Sequence, residues 1–156
     1  MIKKLTFLIL VLFSFTSCGY SPIYSSNNEA VFEIYKFELE GINEINNVIE
    51  NKLEKYFNNN SQKKYIVKIK TSYQKNTATK DRTGSTTHFK LIVNLNLKLQ
   101  RIDLEQNQKE REVSFSESLI IKKNSDNFEQ NDYEKISIEN MTELLINKVI
   151  LYIVRN

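Results

Sequence analysis

The chain has 156 residues, 40% of them hydrophobic, with only 3 Gly and 1 Pro; this suits one small packed domain and excludes a disordered or linker-rich chain. Its formal charge is +3, and residues 1–17 supply Lys3 and Lys4 of the 22 basic groups, so the rest of the chain sets 20 basic against 19 acidic groups, or +1. That balance excludes general nucleic-acid binding, which needs a strong basic excess.

The first segment reads as an address. Lys3 and Lys4 form a short positive region, and residues 5–15 are apolar except for Thr6 and Ser14. An apolar run of about ten residues is too short to span a bilayer and fits a signal peptide. Small residues at Thr16 and Ser17 lead into Cys18, the one Cys of the chain, which cannot form an intramolecular disulfide. The arrangement resembles the bacterial lipobox, with Phe15 where Leu is common. That resemblance implies cleavage before Cys18, a diacylglyceryl thioether on its sulfur and an acyl group on its new amine, together a stable membrane anchor. Gly19 is not Asp, the usual retention signal, so the implied destination is the periplasmic face of the outer membrane.

Residues 18–30 read as a lipidated tether, with a turn at Ser21-Pro22. A single domain follows over 31–156. Branched and aromatic residues mark a first strand at 31–39, broken by Gly41. Asn43 is a candidate helix cap, and Ile45, Val48, Ile49, Leu53 and Tyr56 recur at helical spacing. Asn58-Asn59-Asn60 ends that helix. Tyr65, Val67, Ile69 and Tyr73 alternate with polar residues in a second strand. A polar connector over 76–85 leads to a third, where Phe89, Leu91, Val93, Leu95, Leu97 and Leu99 alternate with Lys90, Asn94, Asn96, Lys98 and Gln100. Such alternation means one face on a core and one polar face. A turn near 103–108 precedes a fourth strand with Val113, Phe115, Leu119 and Ile121. A last helix is predicted over 132–154; its second half is apolar on most sides, more than one sheet face covers, so the other helix or a partner must pack beside it. The expected fold is α+β, in the order β-α-β-β-β-α, with a four-stranded, mainly antiparallel sheet and both helices on one face.

Chemistry-bearing patterns are scarce. A hydrolytic triad needs a base beside a nucleophile, and the chain's single His, His88, has no such partner in sequence. No His or carboxylate spacing suits a metal site, and no glycine loop suits a phosphate. The expectation is a protein that is not an enzyme and carries no cofactor or metal. The basic residues near strand ends are more informative. Antiparallel pairing of strands two to four puts the two-to-three turn and the end of strand four together. Lys80, Arg82, His88, Lys122 and Lys123 would then form one patch, with a charge and donor set suited to phosphates.

Cys18-Gly19-Tyr20-Ser21-Pro22-Ile23-Tyr24 resembles the start of mature LptE-family lipoproteins, where Cys-Gly-aromatic-x-Pro-aliphatic-aromatic is typical. The element order is also similar. So are the threonine-rich turn running into a long alternating strand over 77–99 and a long second helix opening near Asp132-Tyr133. The resemblance implies a non-enzymatic role: a tight complex with the LptD β-barrel, plugging of its lumen, help in its assembly, and binding of lipopolysaccharide. The family often has Arg where His88 stands, and its last helix is commonly Ala-rich. Two other classes stay open at this point. One is a lipoprotein acting as chaperone or pilotin for another envelope assembly; the other is an accessory subunit of a periplasmic enzyme.

Overall fold

The computed structural model describes residues 31–102 and 110–156. The signal segment, Cys18 with its tether, and the predicted turn near 103–108 lie outside the described residues. The elements are β1 (Glu33–Glu40), α1 (Asn43–Leu53), a 3-10 turn (Glu54–Tyr56), β2 (Lys64–Lys80), β3 (Thr86–Ile102), β4 (Arg111–Lys122) and α2 (Asn127–Arg155). The sheet order is β1-β2-β3-β4. β1 pairs with β2 in parallel, and the two other pairings are antiparallel. A parallel pair needs a crossover rather than a hairpin, and α1 is that crossover. The α+β fold with both helices on one face is as expected.

Alternation sets the two faces. Tyr65, Val67 and Ile69 of β2 and Leu91, Val93, Leu95, Leu97 and Leu99 of β3 are buried. They meet Ile45, Ile49 and Leu53 of α1 and Ile138, Met141, Leu145, Ile146, Val149 and Ile153 of α2 in one cluster. Each fully buried branched side chain stabilises by about 1.5–3 kcal/mol. The opposite face is polar, and no element among the described residues packs on it. There Asn94 donates to Ser72 (3.3 Å) and accepts from Ser116 (2.8 Å), while Asn96 donates to Glu112 (2.9 Å).

Several boundaries differ from those read off the sequence. β2 runs to Lys80, seven residues past Tyr73, and β3 begins at Thr86. Thr77 pairs with Thr86 (3.2 Å) and Thr79 with Thr87 (2.7 Å) through their hydroxyls, so the hairpin continues beyond the core, where both faces meet water and hydrophobic alternation vanishes. α2 starts at Asn127 rather than 132, because the Asp126 carboxylate accepts from the amides of Phe128 (2.7 Å) and Glu129 (3.1 Å) and caps the helix there. Asn43 is not the cap of α1; Ile42 occupies that position, and its amide donates to Thr71 Oγ1 at 3.1 Å. α1 ends at Leu53 and its 3-10 turn at Tyr56, before the asparagine run expected to end it; Asn58 and Asn60 follow in left-handed backbone with φ of 53° and 54°.

Gly41 joins β1 to α1 at φ 119°, and a Cβ there would lie 2.3 Å from the Thr71 carbonyl oxygen. The close approach lets Thr71, itself buried, bond the corner. Its hydroxyl receives the Ile42 amide and reaches Asn46 Oδ1 at 2.8 Å and the Glu40 carbonyl at 3.3 Å. Two residues further along β2, Tyr73 donates to Glu134 Oε1 at 2.5 Å and Lys75 bonds Glu134 Oε2 at 2.6 Å, tying β2 to α2.

Candidate functional site

The five basic-patch residues come together at one end of the sheet. Lys80 is opposite Thr86, Thr79 is opposite His88, and His88 is opposite Lys122. Lys123 is tied to the same row by its amide, which donates to the Thr87 carbonyl at 2.8 Å. Arg82 projects from the turn between β2 and β3. It is exposed, as are Lys80, Lys122 and Lys123, while His88 is half-buried.

The turn that presents Arg82 is ordered by Asp81. Its Oδ1 accepts from the Thr83 amide (2.9 Å), the Thr83 hydroxyl (2.6 Å) and the Ser85 amide (2.9 Å), and Gly84 supplies a φ of 85°. These bonds, the Thr83 hydroxyl's first, hold the Asp81 carboxyl below its ordinary range. It therefore stays anionic, but with lone pairs directed inward to the turn. The turn keeps Lys80 and Arg82 on either side of it, available to another anion.

His88 Nδ1 lies 2.8 Å from Thr79 Oγ1 and 3.2 Å from Thr87 Oγ1. Those two threonines, and Lys90, were not singled out in sequence. Lys90 is exposed, lies two residues from His88 on the same strand face, and stands opposite Ile120. Period-two spacing is the signal that would have found it.

Where β4 turns into α2, Ile120, Lys122, Lys123, Glu129, Gln130 and Tyr133 border a recess of about 620 Å³. Its back is ordered: the Asn124 amide donates to Gln130 Oε1 at 2.6 Å, and Asn124 Nδ2 donates to Glu129 Oε2 at 2.7 Å. Ile120 and Tyr133, 59% and 54% exposed, add apolar surface to this largely polar lining. Cations beside exposed apolar side chains suit an amphiphile with an anionic head. The arrangement can bind and orient; among the described residues no cluster of three His, Cys, Asp or Glu is placed to hold a metal. No helix among them is long and apolar enough to cross a membrane.

An α+β domain whose polar sheet face is uncovered among the described residues, with a basic end, is the class that this geometry defines. No protein-family model matches the sequence, and no curated protein matches it. Solved structures do share the fold. Rare lipoprotein B from Shewanella oneidensis is similar at a TM-score of 0.55 and 10% identity, over 75% of this chain and 91% of that one. An uncharacterized lipoprotein B from Nitrosomonas europaea is similar at a TM-score of 0.50 and 11% identity, over 81% of this chain and 87% of that one.

Proposed function

We propose that this chain is an outer-membrane lipoprotein, anchored through Cys18 at the periplasmic face, that partners an LptD-like β-barrel and helps to assemble lipopolysaccharide at the cell surface. Its role is binding and support, not catalysis. The observation that carries the reading is the convergence of Lys80, Arg82, His88, Lys122 and Lys123 at one sheet end, on a fold shared with lipoproteins. The polar face, with its Asn and Ser side chains and its Lys68, Lys98, Glu38 and Glu110 charges, suits the hydrated wall of a barrel lumen better than lipid. Lipid A supplies the phosphates and acyl chains that Lys122 and Lys123 beside exposed Ile120 and Tyr133 would take.

The test is a charge reversal. Charged hydrogen bonds to phosphate contribute about 1.5–3 kcal/mol each when well formed and less when exposed. Arg82→Glu with Lys123→Glu should therefore weaken lipopolysaccharide binding by roughly tenfold or more at low salt. Rising salt should weaken the parent as well. Both positions are exposed, so the fold should survive. Equal affinity in parent and double variant at low salt would reduce the patch to a solvated surface.

A further inference from the structure

Asn124 joins β4 to α2, and both ends of its side chain and its amide are in use. The amide donates to Gln130 Oε1 at 2.6 Å, Nδ2 donates to Glu129 Oε2 at 2.7 Å, and Oδ1 accepts from the Asp126 amide at 3.2 Å. The first bond fixes the side-chain amide of Gln130. The atom that meets a backbone N–H must be the acceptor, so the other is the NH2 group. That nitrogen, Nε2, is buried and meets no acceptor among the described residues, and Gln130 as a whole is 7% exposed. A buried donor without an acceptor is costly and rare in folded proteins. The second bond uses Oε2 of Glu129 and leaves Oε1. Asn124 thus holds one donor and one acceptor on adjacent residues at the start of α2.

Both residues line the recess, together with Tyr133, Lys122 and Lys123. Tyr133 is three residues after Gln130 and four after Glu129, so it neighbours both on the helix surface.

We propose that this recess recognises a phosphorylated sugar, with Gln130 and Glu129 as the residues that select for the sugar. The inference rests on the reading that lipid A binds here, and it adds which part of that ligand is read. Lys122 and Lys123 are exposed cations that suit a phosphate of any origin. Alone they do not tell a phospholipid from a phosphosugar. An ionised phosphate oxygen only accepts, so it satisfies the Gln130 amide and repels the Glu129 carboxylate. A sugar hydroxyl accepts and donates at once. One hydroxyl, or two on neighbouring carbons, can take a hydrogen bond from Gln130 Nε2 and give one to Glu129 Oε1. The exposed ring of Tyr133 beside them gives the C–H face of a sugar an apolar surface, as it would an acyl chain.

The test titrates two lipids into the processed full chain in one detergent, by calorimetry. Lipid A sets its phosphates on a sugar backbone; phosphatidic acid has a phosphate and acyl chains without a sugar. The parent should bind lipid A about tenfold or more tightly than phosphatidic acid. Glu129→Gln keeps a carbonyl oxygen for Asn124 and removes a negative charge. Electrostatics alone would tighten both lipids alike and leave their ratio unchanged. Loss of the charged acceptor for a hydroxyl should instead lower the preference for lipid A about tenfold. Glu129 is exposed, so this variant keeps the fold. Gln130→Glu keeps an acceptor for the Asn124 amide, replaces the free donor, and should lower the same ratio. Equal affinity of the parent for both lipids, or a ratio unchanged in Glu129→Gln, would overturn the proposal while leaving lipid binding in place. A parent that binds no lipid A would overturn the reading beneath it, and the proposal with it.

Discussion

Thr71 gives the sharpest test of how the crossover is held. Thr71→Val replaces the hydroxyl with a methyl of similar size, so packing is kept while the corner loses its common partner. The Ile42 amide loses its acceptor at 3.1 Å, and Asn46 Oδ1 and the Glu40 carbonyl lose a shared donor at 2.8 and 3.3 Å. A lost hydrogen bond costs about 1 kcal/mol, and a stranded buried partner about 1–3 kcal/mol. Ile42 and Asn46 are half-buried, so water partly replaces the bond, and the sum sits near 2 kcal/mol. For a domain of this size, about 4 °C of melting temperature corresponds to 1 kcal/mol, giving a fall of roughly 8 °C. Thermal melts followed by far-UV circular dichroism read it directly. Thr71→Ser keeps the hydroxyl and loses one methyl group, at about 1 kcal/mol or less. If the Val variant melts within about 2 °C of the parent, or the Ser variant falls further than the Val variant, the hydroxyl is not what holds the corner.

Two further outcomes follow from named groups. Burial, and then the bond to Glu134, push the Tyr73 hydroxyl above its ordinary 10.0; the protonated form is the one favoured by folding, so its contribution is full below that value and declines as pH rises through it. Urea midpoints should therefore fall between about pH 9 and about pH 11 by less in Tyr73→Phe than in the parent, and an identical fall in both would remove Tyr73 as the cause. Intact-mass measurement of the processed chain should show a start at Cys18 plus acyl mass; a free thiol there, or another start, would remove the anchor from the account.

Much of the fold was legible because the sheet has one dry and one wet face. β3 shows this best: its even and odd residues separate cleanly, and each odd position from Leu91 to Leu99 is buried. The signal failed where both faces meet water. Residues 76–80 look like a loop in composition, yet their threonines continue the ladder. The start of α2 was misplaced because the capping Asp126 precedes a polar first turn with little periodicity. The parallel placement of β1 is set by the α1 crossover and leaves no local trace.

The candidate site was partly legible for a different reason. Antiparallel order alone brings His88 opposite Lys122, and charge marks both as candidates. The recess beneath Lys122 and Lys123 was not legible, because it depends on Gln130 and Glu129 of α2 folding back against the strand end. Nor was the exposure of Leu144 and Leu151 of α2. Leu144 and Leu151 resemble core residues in sequence, and only the packing of α1 on the other flank leaves them exposed.

The proposed partnership with a barrel is decided most directly by what the chain binds in the membrane. The tagged full chain, extracted in mild detergent and purified to constant composition, should carry one outer-membrane β-barrel protein in a one-to-one ratio with itself, identified by mass spectrometry and quantified by amino-acid analysis. Purification without a barrel protein, together with normal barrel assembly in cells that lack the chain, would contradict the account.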